Sequence, residues 1–267
     1  MPIRRTVWLT DIHLNFLNLG KVEEFCRRIA GKEPDGLLLG GDIGEAQNVT
    51  AYLRLLEDQL ECPTFFVLGN HDFYNGSISE VRQEIKTLVE HSHRLCWLSD
   101  AGVVPLTERV CLIGHDAWAD GRLGDYERSQ VELNDYFLIK EFAGLDREKR
   151  LEKLHKLGDA AADYFRQVLP QALERFRHVV VLTHVPPFAE ACWHEGRTSD
   201  ENYLPHFSCK AVGEVLEETM RQFPDCEMTV LCGHTHGSGE AQILPNLLVK
   251  TGGATYGEPQ VQEVMIF

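Results

Sequence analysis

Six apolar runs punctuate the chain: RTVWLTD (5–11), GLLLGGD (36–42), TFFVLGN (64–70), VCLIGHD (110–116), VVVLTHV (179–185) and MTVLCGH (228–234). Each places several apolar residues in unbroken succession, the pattern of a strand buried on both faces. Between them, residues 19–31, 47–60, 77–91, 151–169 and 209–222 repeat apolar positions at helical spacing. These segments predict helices, and Pro170 is expected to kink or end the fourth. The alternation of strand and helix predicts an α/β fold with largely parallel strands early in the chain. After residue 239 the pattern changes. EAQILPNL, LLVKTGG and VQEVMIF follow one another with no helical stretch between, so a mixed or antiparallel sheet is expected to close the fold. No repeat, low-complexity tract or flexible linker divides the chain, and residues 1–267 are expected to form one domain. Two segments, 115–146 and 186–208, read as long loop insertions of the kind that is functional or disordered.

Charge narrows the range of partners. With 26 basic against 41 acidic residues the net charge is −15, which disfavours non-specific binding to nucleic acid or to anionic membranes. MPIRRTVWLTDIHL has no secretory h-region and no small-residue cleavage site, and no stretch has the length of a membrane span. The eight cysteines are scattered without a CxxC pair, and Cys111 and Cys232 lie inside apolar runs. A reduced, cytoplasmic protein is expected.

The ends of the runs carry the chemistry. The first ends in Asp11-Ile12-His13, the second in Gly41-Asp42, and the third in Asn70-His71-Asp72. A later run ends in His184 and another in Gly233-His234-Thr235-His236. A lone DxH is a common accident, and a Gly-Asp after a strand is usually a turn. Five endings of ligand type, all after buried strands, form a pattern that unrelated turns do not produce. In open α/β sheets sites form beyond the carboxyl ends of strands, so these residues are candidates to converge. Imidazole, carboxylate and amide oxygen without thiolate suit Mn, Fe or Zn in a reactive site. A pair of divalent cations bridged by an aspartate would remain positive and attract a phosphate.

The ordered series DxH, GD, GNHD, a single His and GHxH resembles the calcineurin-like metallophosphoesterase superfamily, from Asp11 to His236. The resemblance implies two mixed β-sheets packed as a sandwich and flanked by α-helices. It implies hydrolysis of a phosphoester, monoester or diester, by metal-activated hydroxide. It assigns one metal to Asp11, His13, Asp42 and His236, and the other to Asp42, Asn70, His184 and His234, with Asp42 bridging. His71 matches the non-ligand catalytic histidine, and Asp72 is expected to orient its ring. Two divalent ions, or iron with a divalent ion, are implied, with Mn favoured over Fe and Zn. The GNHD tetrad, and Ile43-Gly44-Glu45 after Asp42, depart from the protein serine/threonine phosphatases. GNHD is shared with cyclic-nucleotide phosphodiesterases, the alternative reading. A second alternative is a non-catalytic scaffold of the same fold, disfavoured because every expected ligand position holds a competent residue.

Other residues carry weaker signals. Trp118, Arg122, Trp193 and Tyr203 are candidates for a substrate wall, against the plainer reading that they pack the loops onto the core. His115 and Asp116 mimic the pattern at a strand end and are candidates to line the pocket. His91, His93 and His155 are expected on helix surfaces or ends, and His178 in a turn. His194 and His206 lie in the second insertion without a specific role.

Overall fold

The computed structural model describes residues 2–267. The strands are β1 (Arg5–Leu9), β2 (Gly36–Gly40), β3 (Thr64–Val67), β4 (Leu95–Trp97), β5 (Val104–Pro105), β6 (Val110–His115), β7 (His178–Thr183), β8 (Trp193–His194), β9 (Arg197–Thr198), β10 (Glu227–Cys232), β11 (Gly239–Leu244), β12 (Leu247–Thr251) and β13 (Glu263–Ile266). The helices are α1 (Leu19–Ala30), α2 (Val49–Gln59), α3 (Ile78–Glu90), α4 (Leu98–Ala101), α5 (Asp135–Leu138), α6 (Arg147–Leu173), α7 (Leu204–Phe207) and α8 (Lys210–Gln222). Among the described residues, no helix is long and apolar enough to cross a membrane.

Each of the six apolar runs contains a strand, and burial explains why they are apolar throughout. One sheet has the order β13-β1-β2-β3-β4 and the other β11-β12-β10-β7-β6-β5. In the first, β1 to β4 are parallel and β13 is antiparallel to β1. In the second, β12, β10, β7 and β6 are parallel, with β11 and β5 antiparallel at the edges. Side chains of each sheet alternate between a core shared by the two sheets and a core of its own under the helices. Trp8, Leu38, Phe65 and Val67 point from the first sheet to meet Leu112, Val180, Leu182 and Leu231 from the second. Val7, Leu9, Leu37, Leu39 and Phe66 point the other way, onto α1, α2 and α3. Val179, Val181, Met228 and Val230 likewise pack under α6 and α8. Two mixed sheets lie between layers of helices, the architecture the resemblance implies.

Pro170 neither ends nor interrupts α6, which runs on to Leu173. Its missing N–H removes the helical bond to the Arg166 carbonyl, and Arg166 and Pro170 are both exposed, so water can take that role. The helix continues because Val168, Leu169, Ala172 and Leu173 are buried against the second sheet.

Candidate metal centre

The five strand ends meet at one edge of the sandwich. Asp11, His13, Asp42 and Asn70 follow strands of the first sheet, and His184, His234 and His236 follow strands of the second. The chain must turn sharply there. Asp11, His13, Asp42, His234 and His236 have φ of 50°, 41°, 53°, 71° and 59°, in the left-handed region that non-glycine residues seldom visit. Such residues cost about 1–3 kcal/mol each and cluster at functional sites. Glycines make room beside them. A Cβ on Gly69 would lie 2.1 Å from Asp42 Oδ1, and one on Gly233 would lie 2.0 Å from Asp11 Oδ2.

Asp11, His13, Asp42 and His236 present ligand atoms within 4.8 Å of one another. His13 Nε2 is 3.3 Å from His236 Nε2 and 3.7 Å from Asp42 Oδ2, and His236 Nε2 is 3.4 Å from Asp11 Oδ1. A second group gathers on the other side of Asp42. His184 Nε2 is 3.4 Å from Asp42 Oδ1 and 3.0 Å from Asn70 Oδ1, and His234 Nδ1 is 2.9 Å from Asn70 Oδ1. Asp42 therefore turns one oxygen to each group.

Hydrogen bonds behind the candidate ligands fix which atoms face inward. His184 Nδ1 donates to the Gly40 carbonyl at 2.8 Å, and His234 Nε2 donates to the His206 carbonyl at 3.0 Å. Asn70 Nδ2 donates to Asp135 Oδ1 at 2.8 Å. The inward atoms His184 Nε2, His234 Nδ1 and Asn70 Oδ1 are then all acceptors, with no hydrogen between them. A cation satisfies such a trio, and the residues fit one. Burial pushes His234 down to about 3, which keeps its ring neutral and able to ligate. Burial, together with the Asp11 and Asp72 carboxylates, pushes Asp42 well above the usual carboxylate range. Asp11 is held low; burial works against this, but its bond to His236 and the nearby His184 and His13 outweigh it. Two carboxylates this deeply buried call for positive charge between them.

His71 faces the cavity. Its ring stacks on Tyr74, with centroids 4.2 Å apart, and its Nε2 is 3.9 Å from Asp42 Oδ2. Burial and the neighbouring His13 and His184 push it down to about 2. Asp72 does not orient that ring. Its Oδ1 accepts the backbone N–H groups of Ile43 and Gly44, and its Oδ2 accepts that of Gly69. The carboxylate ties the GD loop to the GNHD loop, and this use of both oxygens removes it from the imidazole.

A cavity of about 310 Å³ opens on the candidate ligands, lined also by Tyr74, Leu133, Asp135, His194, Phe207 and Tyr256. None of the four residues expected as a substrate wall lines it. Trp118 is buried against Phe73 and Phe142, and Arg122 is paired with Asp120 and Asp159. Trp193 packs its ring over Gly239. Tyr203 packs with its ring tilted against those of His194 and Phe207. Packing the insertions onto the core has claimed these side chains. His115 and Asp116 also lie outside the cavity. Asp116 is buried and accepts from the Leu68 N–H, Trp97 and Ser99, while His115 Nδ1 accepts from the Ala117 N–H. The insertions reach the cavity through Leu133, Asn134, Asp135, His194 and Phe207 instead. Tyr256 and Asp135 carried no sequence signal, since neither ends a strand run.

The fold brings the carboxylates and imidazoles of five strand ends together as a candidate metal site. The chain belongs to the calcineurin-like phosphoesterase family, whose profile matches residues 4–238. It is 35% identical over 81 residues to a "Probable cyclic nucleotide phosphodiesterase" of Pseudoalteromonas sp. (strain SM9913), a match covering 26% of this chain and 31% of that relative. In structure it is similar to a phosphopantetheinyl hydrolase from Mycobacterium tuberculosis, with a TM-score of 0.66, 14% identity, and 94% of this chain and 90% of the other covered. A dimetal phosphatase from Danio rerio superposes with a TM-score of 0.59 and 14% identity, covering 97% and 90%. At that identity the two structures speak for the fold alone.

Proposed function

We propose that this chain hydrolyses a small phosphodiester at a two-cation centre. One cation is held by Asp11, His13, Asp42 and His236, the other by Asp42, Asn70, His184 and His234. The observation that carries this reading is Asp42, whose two oxygens face separate ligand groups. Bound cations of this kind activate water and polarise phosphoryl oxygens. The chain's own residues supply the rest. His71 stands at the cavity to meet the leaving oxygen or a phosphoryl oxygen, and its backbone N–H holds Asp42 Oδ1 at 2.9 Å. The cavity carries no lysine or arginine, so it offers no fixed side-chain cation for the second negative charge of a monoester. A diester carries one charge on the phosphoryl group and suits these walls better. Similarity to a cyclic nucleotide phosphodiesterase over part of the chain points the same way. Manganese suits the mixed amide, carboxylate and imidazole set. The cysteines are unpaired, which supports a cytoplasmic setting.

Elemental analysis of manganese-replete protein, with parallel assays on bis-p-nitrophenyl phosphate, a cyclic nucleotide and p-nitrophenyl phosphate, tests the reading. Two ions per chain and faster turnover of the diesters are expected. Calcium is expected to restore chelated protein poorly, because it favours oxygen-rich coordination. One ion per chain, or faster turnover of the monoester, would overturn the corresponding half of the proposal.

A further inference from the structure

We infer that Asp135 is a positioning residue that holds the Asn70 amide with its oxygen, and not its nitrogen, toward the second cation. The inference rests on the two-cation reading above. Asp135 opens α5 in the first insertion, is buried, and lines the cavity. Its Oδ1 accepts from Asn70 Nδ2 at 2.8 Å and from the Tyr74 hydroxyl at 2.7 Å. The tyrosine thus holds the carboxylate in place, and the carboxylate holds the amide.

The consequence lies in what the amide would otherwise do. An asparagine side chain turned by half a rotation exchanges a donor for an acceptor at almost no change of shape. Turned that way, Asn70 would aim its two N–H bonds at His184 Nε2 and His234 Nδ1, which lie 3.0 and 2.9 Å from the present oxygen. Both imidazoles already give their other N–H to backbone carbonyls, so both can accept. The flipped site would be fully hydrogen-bonded without a cation and would present N–H groups where a ligand oxygen belongs. Asp135 removes this alternative, since in the flipped state its Oδ1 would face the amide oxygen. A buried carboxylate facing an acceptor is strongly disfavoured.

Manganese titration by calorimetry, with elemental analysis, on wild type, Asp135→Leu and Asp135→Asn tests the inference. The leucine fills similar space without an acceptor. It is expected to weaken one of two sites by about 10–100-fold, the usual effect of removing a partner that orients a ligand, while the other site stays unchanged. The asparagine keeps an acceptor oxygen for both donors and is expected to retain both sites. Asp135→Ala repeats the comparison if the leucine variant does not fold. Two sites of wild-type affinity in the folded leucine or alanine variant overturn the inference. So does equal weakening in Asp135→Asn, which would make charge and not amide orientation the cause. A wild type that binds one ion overturns the two-cation reading itself, and this inference with it.

Discussion

Within the cavity, His71 is the imidazole best placed for substrate and least committed elsewhere. Its hydrogen bond to Asp42 is made by the backbone N–H, so the ring can be changed without removing that bond. Because burial and the neighbouring imidazoles keep the ring neutral, it would act by donating its N–H to the leaving or a phosphoryl oxygen. His71→Asn is expected to keep the proposed metals and the fold and to lower kcat by about 10²-fold, the low end of the acid–base scale. The loss should be smaller for an ester of p-nitrophenol, whose leaving group is already acidic, than for an alkyl ester. Equal losses for both would rule out leaving-group protonation, and loss of a metal would make His71 a ligand. The residues at the strand ends were legible in the sequence because five buried strands end in ligand-type residues in a fixed order; one such ending taken singly, as at His115-Asp116, can serve packing instead. The partner of Asp72 was not legible. Which N–H groups a carboxylate meets depends on how two loops, 28 to 29 residues apart in the chain, come together in space.

At the scale of elements, the two insertions are fastened to each other by His206 of α7. Its Nδ1 accepts from the Tyr136 hydroxyl and its Nε2 donates to Ser129 Oγ, while that hydroxyl donates to the Asn202 carbonyl. Arg150 lies over the Tyr136 ring at 4.0 Å. Burial, with Arg147 and Arg150 close by, pushes His206 down to about 4. A base with its folded value below the unfolded one gains stability above about pH 6.5 and loses it as pH falls toward the folded value. The stability should therefore decline between about pH 6.5 and 4, by up to about 3 kcal/mol for a shift of this size. His115, also lowered to about 4 by burial, acts in the same sense, so the contribution is isolated by comparison. Urea midpoints of chelated wild type and His206→Gln at pH 7.5 and 4.5 provide it. The variant should show the smaller pH dependence, and equal dependence would remove His206 as a source. Elements of two to four residues, such as β8, β9, α5 and α7, left no periodic trace. Their existence is set by contacts between the insertions and not by local pattern. The five long helices were legible because each shows several turns of one apolar face.

In the molecule as a whole, the proposed cations would take ligands from both sheets at once, so their removal should be felt across the sandwich. A ligand at about 100 times its Kd stabilises by about 2.7 kcal/mol. In a domain of this size that corresponds to about 5–10 °C in Tm. Chelation is expected to lower the melting temperature by that order, and manganese to restore it. A chelated protein that melts with the untreated one would separate the metals from the joining of the sheets. The doubly buried strands announced that each sheet is covered on both faces. They left open whether helices or another sheet did the covering, since Leu38 and Leu37 look alike in sequence and face different cores.

The left-handed turns at Asp11, His13, Asp42, His234 and His236 bear on how such a site is kept over generations. Glycine adopts that conformation without strain, so replacing any of the five by glycine relaxes the backbone while deleting a proposed ligand. The changes that silence the chemistry are thus among those the chain accepts with least distortion. Drift under selection for folding alone would lead toward glycine at these positions and away from activity.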